Sequence, residues 1–178
     1  DAKEAFGGQR VAINLAGVKK EEIERGNVIG PVDSMKASMM LDVKVKTLES
    51  YERSVENWDR LRLYLGTSEV LCRIVILDKD LINPGEEAYV QLRLEEEIVA
   101  KRGDKFILRS YSPMYTIGGG EILDPNPSKK KRFDEETLEN LKIKEEGSSF
   151  LVLENIMKNS KKEYPSLLAS SNSSFVSI

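Results

Sequence analysis

Two stretches of this 178-residue sequence carry side chains suited to recognition chemistry. Arg109-Ser110-Tyr111-Ser112-Pro113-Met114-Tyr115 sets a guanidinium, two phenol rings and two hydroxyls close together, a mixture that fits phosphate and sugar. The same makeup describes an ordinary hairpin with Tyr rings packed on its flank, and composition alone weighs toward that plainer reading. Lys129-Lys130-Lys131-Arg132 is the only basic run, and it is either a solvated linker or a phosphate contact.

Other candidates fail on spacing. Gly118-Gly119-Gly120 is followed by strand-like Glu121-Ile122-Leu123 and not by a helix whose amides could point at an anion. A bulge or a close backbone approach within a strand is expected there. Glu95-Glu96-Glu97 cannot converge on one metal ion if extended, because successive strand residues face opposite ways, so a solvated edge is expected. Cys72 lies in an apolar run and reads as a small core residue. Histidine is absent, which removes Ser-His-Asp, Cys-His and His-ligated metal chemistry. One cysteine allows neither an intrachain disulfide nor a zinc cluster, as expected of a reducing compartment. No catalytic and no metal-binding residue is identified.

The elements that must position these residues are mostly strands. From Gln9 to Ala16, Val11, Ile13 and Leu15 alternate with polar or small residues, which predicts a half-buried strand. A charged stretch follows, ending in a turn at Arg25-Gly26-Asn27, and Pro31 to Ser38 reads as a connector. Alternation returns at Met39 to Lys46, Leu61 to Leu65 and Tyr89 to Leu94, with further strands at Phe106 to Arg109 and Tyr115 to Leu123. Val70 to Leu77 is nearly continuous and is expected to be covered on both sides. Asn83-Pro84-Gly85-Glu86 and Arg102-Gly103-Asp104-Lys105 are turns. At least six short strands between 39 and 124 predict a mainly β fold, an antiparallel barrel or sandwich. Beyond Asp124, helices are expected near 134–145 and 150–157, with a third apolar stretch at Leu167 and Leu168 and a Ser-rich end. The net charge of −3 excludes a wholly basic or acidic character, and no run of about 18 apolar residues offers a membrane span. The first residues lack a signal-peptide pattern and an initiator Met, as expected of a piece of a longer chain.

Three strings resemble a known family. Gly8-Gln9-Arg10-Val11-Ala12-Ile13-Asn14-Leu15-Ala16-Gly17-Val18, then Glu21-Glu22-Ile23-Glu24-Arg25-Gly26, resembles the last third of the second domain of elongation factor Tu-type translational GTPases. Gly103-Asp104-Lys105-Phe106-Ile107-Leu108-Arg109 resembles the end of their third domain. Arg109-Ser110-Tyr111-Ser112-Pro113 with Thr116-Ile117-Gly118-Gly119-Gly120-Glu121-Ile122-Leu123-Asp124-Pro125 is similar to the bacterial selenocysteine-specific elongation factors in particular. The likeness covers roughly residues 7 to 125.

The resemblance implies the closing strands of a second domain over 1–32, and a β-barrel like domain 3 of elongation factor Tu over 33–125. It implies a linker and the start of a winged-helix extension over 126–178. It implies a non-catalytic docking piece of the cytoplasmic factor that delivers selenocysteyl-tRNA to the ribosome at recoded UGA codons. GTP and Mg would belong to the parent protein, with no cofactor in this piece. Partners would be the tRNA, the ribosome, the factor's own GTP-binding domain and, through the extension, a messenger RNA hairpin, with no membrane. Arg10 would lie in the aminoacyl pocket, where its guanidinium pairs with a selenolate and gains far less from a neutral seryl group. Arg109, Tyr111, Ser112 and Tyr115 would meet the acceptor–T arm, an RNA helix read by shape, 2′-hydroxyls and phosphates. Glu95 to Glu97 either displace that contact or face away from it. The alternative is a structural barrel that packs on neighbouring domains and touches no RNA.

Overall fold

The structure, a computed structural model, describes residues 4–147. Its strands are β1 (Ala37–Thr47), β2 (Val55–Glu56), β3 (Arg60–Leu65), β4 (Ser68–Ile76), β5 (Leu81–Ile82), β6 (Glu87–Val99), β7 (Lys105–Ser110) and β8 (Thr116–Asp124), followed by helix α1 (Glu135–Glu146). Six of them close into a barrel in the order β1-β6-β4-β3-β7-β8, and every neighbouring pair is antiparallel. The predicted barrel is therefore present, with its strands where the alternation put them. The two-residue pair β2–β5 forms a separate small sheet that no periodicity announced.

Alternation explains the closure. Leu41, Val43 and Val45 of β1 point inward with Leu61 and Leu63 of β3 and Leu92 of β6, and all are buried. Each fully buried aliphatic side chain contributes about 1.5–3 kcal/mol over its exposed state. Cys72 is part of this core, and burial, aided by the Glu95 charge, pushes its thiol up to about 12. It is a packing residue.

The glycine run is a close approach, as expected. On β8, Gly118 to Gly120 pair with Thr47, Lys46 and Val45 on one side and with Leu108, Ile107 and Phe106 on the other. A Cβ at Gly118 or Gly120 would collide with the carbonyl oxygens of Lys46 and Lys44. Register shifts flank the run in both ladders, the mark of bulges.

One wall of the barrel is covered by the chain itself. Residues 125–133 cross it as a strap, and α1 follows. Arg132 donates through Nε to the Ile76 carbonyl (2.8 Å) and through Nη2 to that of Lys79 (2.9 Å), and Phe133 N bonds the Leu77 carbonyl (2.7 Å). Arg132, the last of the basic run and half-buried, thus directs its donors to carbonyls of β4 and of the turn after it, which keeps those backbone acceptors paired. Asp134 caps α1 by accepting from Thr137 N (3.0 Å), and Glu135 and Glu136 sit in the first turn, where the helix dipole favours them. Leu141 packs under the helix against Val75, Leu77, Tyr89 and Leu123. The helix expected near 134–145 is therefore observed, and the both-sides covering of Val70 to Leu77 holds for its second half. The helix expected at 150–157 and the apolar stretch at 167–168 lie outside the described residues.

The strand expected over Gln9 to Ala16 does not form. Residues 4–36 contain only a 3-10 turn at Lys20–Glu22, and Val11 and Ile13 are exposed. A half-buried strand needs an edge to pair with, and a closed barrel has none left to offer. The segment meets the barrel at the β3–β4 turn, where Ser68 Oγ donates to the Gly26 carbonyl (3.3 Å).

Candidate nucleic-acid interface

Strand register assembles a face that no single stretch of sequence contains. Arg93 of β6 stands opposite Arg73 of β4, and Arg73 stands opposite Arg60 of β3. In the next row outward on β3, Arg62 opposes Arg109 of β7. These five alternate with inward-facing core residues, so all five point away from the barrel. Glu69 and Glu95 are their only carboxylate ion-pair partners among the described residues, which leaves a local charge of +3 on a chain of −3.

Ring contacts and ion pairs fix the guanidinium groups. Glu95 takes Arg60 bidentately, from Nε at 2.8 Å and Nη2 at 2.6 Å, and Arg62 Nη1 reaches Glu69 at 2.7 Å. The Tyr111 ring lies 4.7 Å from the Arg60 guanidinium and 5.3 Å from that of Arg62, and Tyr64 lies 5.9 Å from Arg109. Arg73 Nη1 donates to the carbonyl of Trp58 (3.1 Å), an exposed indole held at φ 74° on the rim. The hydrogen bond from Arg60 holds the Glu95 carboxyl below its usual range, and that from Arg62 does the same for Glu69. Burial pulls the Arg93 guanidinium down. The Nε atoms of Arg62, Arg93 and Arg109 are buried with no acceptor among the described residues. Arginines packed side by side on neighbouring strands cannot serve one another, since none carries an acceptor.

The residues singled out in the Arg109–Tyr115 string divide between this face and its margin. Arg109 is on β7 within the face, and Tyr111 stacks over its arginines. Ser110 closes the loop: its Oγ accepts from Tyr115 N (2.8 Å) and donates to the Pro113 carbonyl. Ser112 and Tyr115 are exposed and line a groove of about 920 Å³ that Arg60, Tyr111 and Tyr51 also border. Arg10 is exposed on the N-terminal segment and belongs to no strand. Arg60, Arg62, Arg73 and Arg93 were not anticipated. Each sits at the outward parity of an alternating strand, so parity could have flagged them singly, but only the register joins them. The position of the acidic triplet is also resolved. Glu95 lies on the arginine face holding Arg60, while Glu96 and Glu97 are solvated within a bulge where β6 carries Leu94 to Glu97 opposite the single Met39.

Among the described residues no group of three or more Cys, Asp or Glu is arranged to hold a metal ion. The chemistry on offer is anion recognition: forked donors at fixed spacing, flanked by aromatic rings. Fold and face together define a closed antiparallel β-barrel domain with one arginine-rich, polyanion-suited wall. The family model for the β-barrel domain of the selenocysteine-specific elongation factor matches residues 41–129. A selenocysteine-specific elongation factor of Desulfomicrobium baculatum is 34% identical over 142 residues, which is 79% of this chain and 22% of that protein. The crystal structure of a bacterial selenocysteine-specific elongation factor superposes with a TM-score of 0.56 at 25% identity, over 79% of this chain and 21% of that one. The chain belongs to the selenocysteine-specific elongation factor family and carries its β-barrel domain. It spans about a fifth of the length of these relatives.

Proposed function

We propose that the arginine–aromatic wall of the barrel binds RNA, and that its ligand is the acceptor–T arm of selenocysteyl-tRNA. The observation that carries this reading is the register of five outward arginines on four adjacent strands, backed by Tyr64 and Tyr111. Guanidinium forks match phosphate oxygens bidentately, and an RNA helix offers phosphates and 2′-hydroxyls across a broad, shallow groove. In this reading Arg109 contacts the backbone, Tyr111 orients its neighbours, and Ser112 and Tyr115 extend the contact along the groove. The parent factor is a cytoplasmic GTPase using GTP and Mg, and this chain supplies docking and no catalytic group. Arg10 then serves the aminoacyl pocket once the other domains enclose it. The remaining partners are the ribosome, the factor's own GTP-binding domain and a messenger RNA hairpin reached through the C-terminal extension.

Titration of selenocysteine tRNA into this chain at several salt concentrations tests the reading. Binding is expected to weaken steeply with salt, with a log–log slope of about −0.7 to −0.9 per phosphate contacted. Arg109→Ala is expected to lower that slope by about 1 and to weaken all RNA sequences alike. Binding that ignores salt, or an Arg109→Ala and Tyr111→Ala double variant that binds as the wild type does, overturns it. In the complete factor, Arg10→Ala is expected to reduce the preference for selenocysteyl over seryl tRNA. An unaltered preference removes Arg10 from the pocket.

A further inference from the structure

Glu95 presents an anion where the RNA reading puts a phosphate. Its carboxylate fills the Arg60 fork at 2.8 and 2.6 Å, a planar two-bond geometry that a phosphodiester oxygen pair reproduces. Tyr111 packs on one side of the Arg60 guanidinium, and Arg73 stands directly across the strand pair. The Arg60 fork is therefore already aimed and already holds one anion. Arg60 and Glu95 both remain about one-third exposed, so the pair is open to exchange from solution. Glu96 and Glu97 carry the same charge beside it but have no arginine partner among the ion pairs of the described residues.

We propose that Arg60 and Arg73 form a phosphate subsite whose resident in the free protein is the Glu95 carboxylate, so that RNA engages by exchanging a backbone phosphate for Glu95. The inference rests on the RNA reading above and adds a competitor within the site. Before binding, Glu95 keeps the Arg60 fork in its productive geometry, which removes part of the ordering cost of the complex. It also makes this subsite demanding. A phosphate must arrive at this position to displace the carboxylate, while a backbone out of register leaves Glu95 facing it as a repulsive charge.

The test is a double-mutant cycle read by equilibrium binding of in vitro transcribed selenocysteine tRNA to the full chain. Glu95→Gln is expected to bind about two- to fivefold more tightly than wild type, the range spanned by exposed ion pairs. Arg60→Ala is expected to weaken binding, and Glu95→Gln added to Arg60→Ala is expected to bring little further gain. Glu96→Gln makes the same change in net charge and is expected to leave affinity nearly unchanged. An equal gain from Glu95→Gln with and without Arg60, or an equal gain from Glu96→Gln, shows a general field and overturns the exchange. Tight, salt-dependent binding by wild type with no change in Glu95→Gln overturns the exchange and leaves the RNA reading intact. No binding by wild type and Glu95→Gln alike overturns both.

Discussion

Strands β4 and β6 each cross two differently finished surfaces of one barrel, and the contrast lies within single rows of outward side chains. On β6 the outward positions run Tyr89, Gln91, Arg93, and on β4 they run Leu71, Arg73, Val75. Tyr89, Gln91 and Val75 lie under the strap and α1 and are buried, whereas Arg73 is exposed and Arg93 is half-buried. Where the chain covers its own wall, the outward residues are apolar or hydrogen-bonded. Gln91 Nε2 donates to Asp42 Oδ1 (2.6 Å) and to the Ser128 carbonyl (2.9 Å), and its Oε1 accepts from Lys130 N (3.2 Å). Where the wall is left open, the same positions hold guanidinium groups. Covering and recognition are thus alternative uses of one geometry, separated by a single outward step along each strand.

Leu141→Ala should have the largest effect on this division. Removing the buried leucine is expected to cost about 2–4 kcal/mol, borne by the strap and helix. Native-state hydrogen exchange should then show α1 losing protection while β3 and β7 keep theirs. Equal loss throughout would make the two surfaces one cooperative unit and break the comparison.

Asp42 comes next. Burial, helped by the Asp124 charge, raises its carboxyl from 3.8 to about 7, against the opposing Gln91 hydrogen bond and the Lys130 and Lys144 charges. The folded state therefore holds the proton more tightly than the unfolded chain does. Stability contributed at low pH is lost as pH climbs from 3.8 through about 7. Asp42→Asn is expected to match wild type near the acid end of that window and to exceed it at pH 8 by at most about 4 kcal/mol. Urea denaturation at the two pH values checks this, and a wild-type stability that rises with pH across the window contradicts it.

On the open side, Arg62→Ala is expected to weaken RNA binding several-fold and lower the salt slope by about 1, with little loss of stability. The smallest effect is expected from Lys46→Ala, on β1 and away from the arginine rows, with stability shifting by no more than about 0.5 kcal/mol. If Lys46→Ala weakened RNA binding as much as Arg62→Ala does, the binding wall would be the wrong one.

The barrel was legible because a period of two survives wherever one side of a strand is buried, as at Leu61, Leu63 and Leu65. The same signal misled at Val11, Ile13 and Leu15, since alternation records a wish to pair and says nothing of whether a partner is at hand. Among the interface residues, Arg109 and Tyr111 were visible because they sit in one unusual string. The other four arginines were invisible as a group, because their adjacency is created by register across β6, β4 and β3. The packing role of Arg132 was invisible for a related reason: its partners are backbone carbonyls of β4 and the turn after it, more than fifty positions earlier.

The glycine run on β8 bears on how the protein is made. β1 pairs with β6 on one side and with β8 on the other, and the β8 ladder is the one that brings the glycines against the Lys44 and Lys46 carbonyls. A chain synthesised from its N-terminus therefore carries β1 with neither ladder available until Glu87–Val99 has emerged, and with one still missing until Thr116–Asp124 follows. Such non-local pairing is slow, and it leaves a strand edge open to other chains in the meantime. With no side chain at Gly118 or Gly120, β8, the last strand of the barrel in chain order, can lie against the β1 carbonyls as it fills the remaining gap. Arg109, on the strand just before it, then has its final surroundings only when the ring is shut.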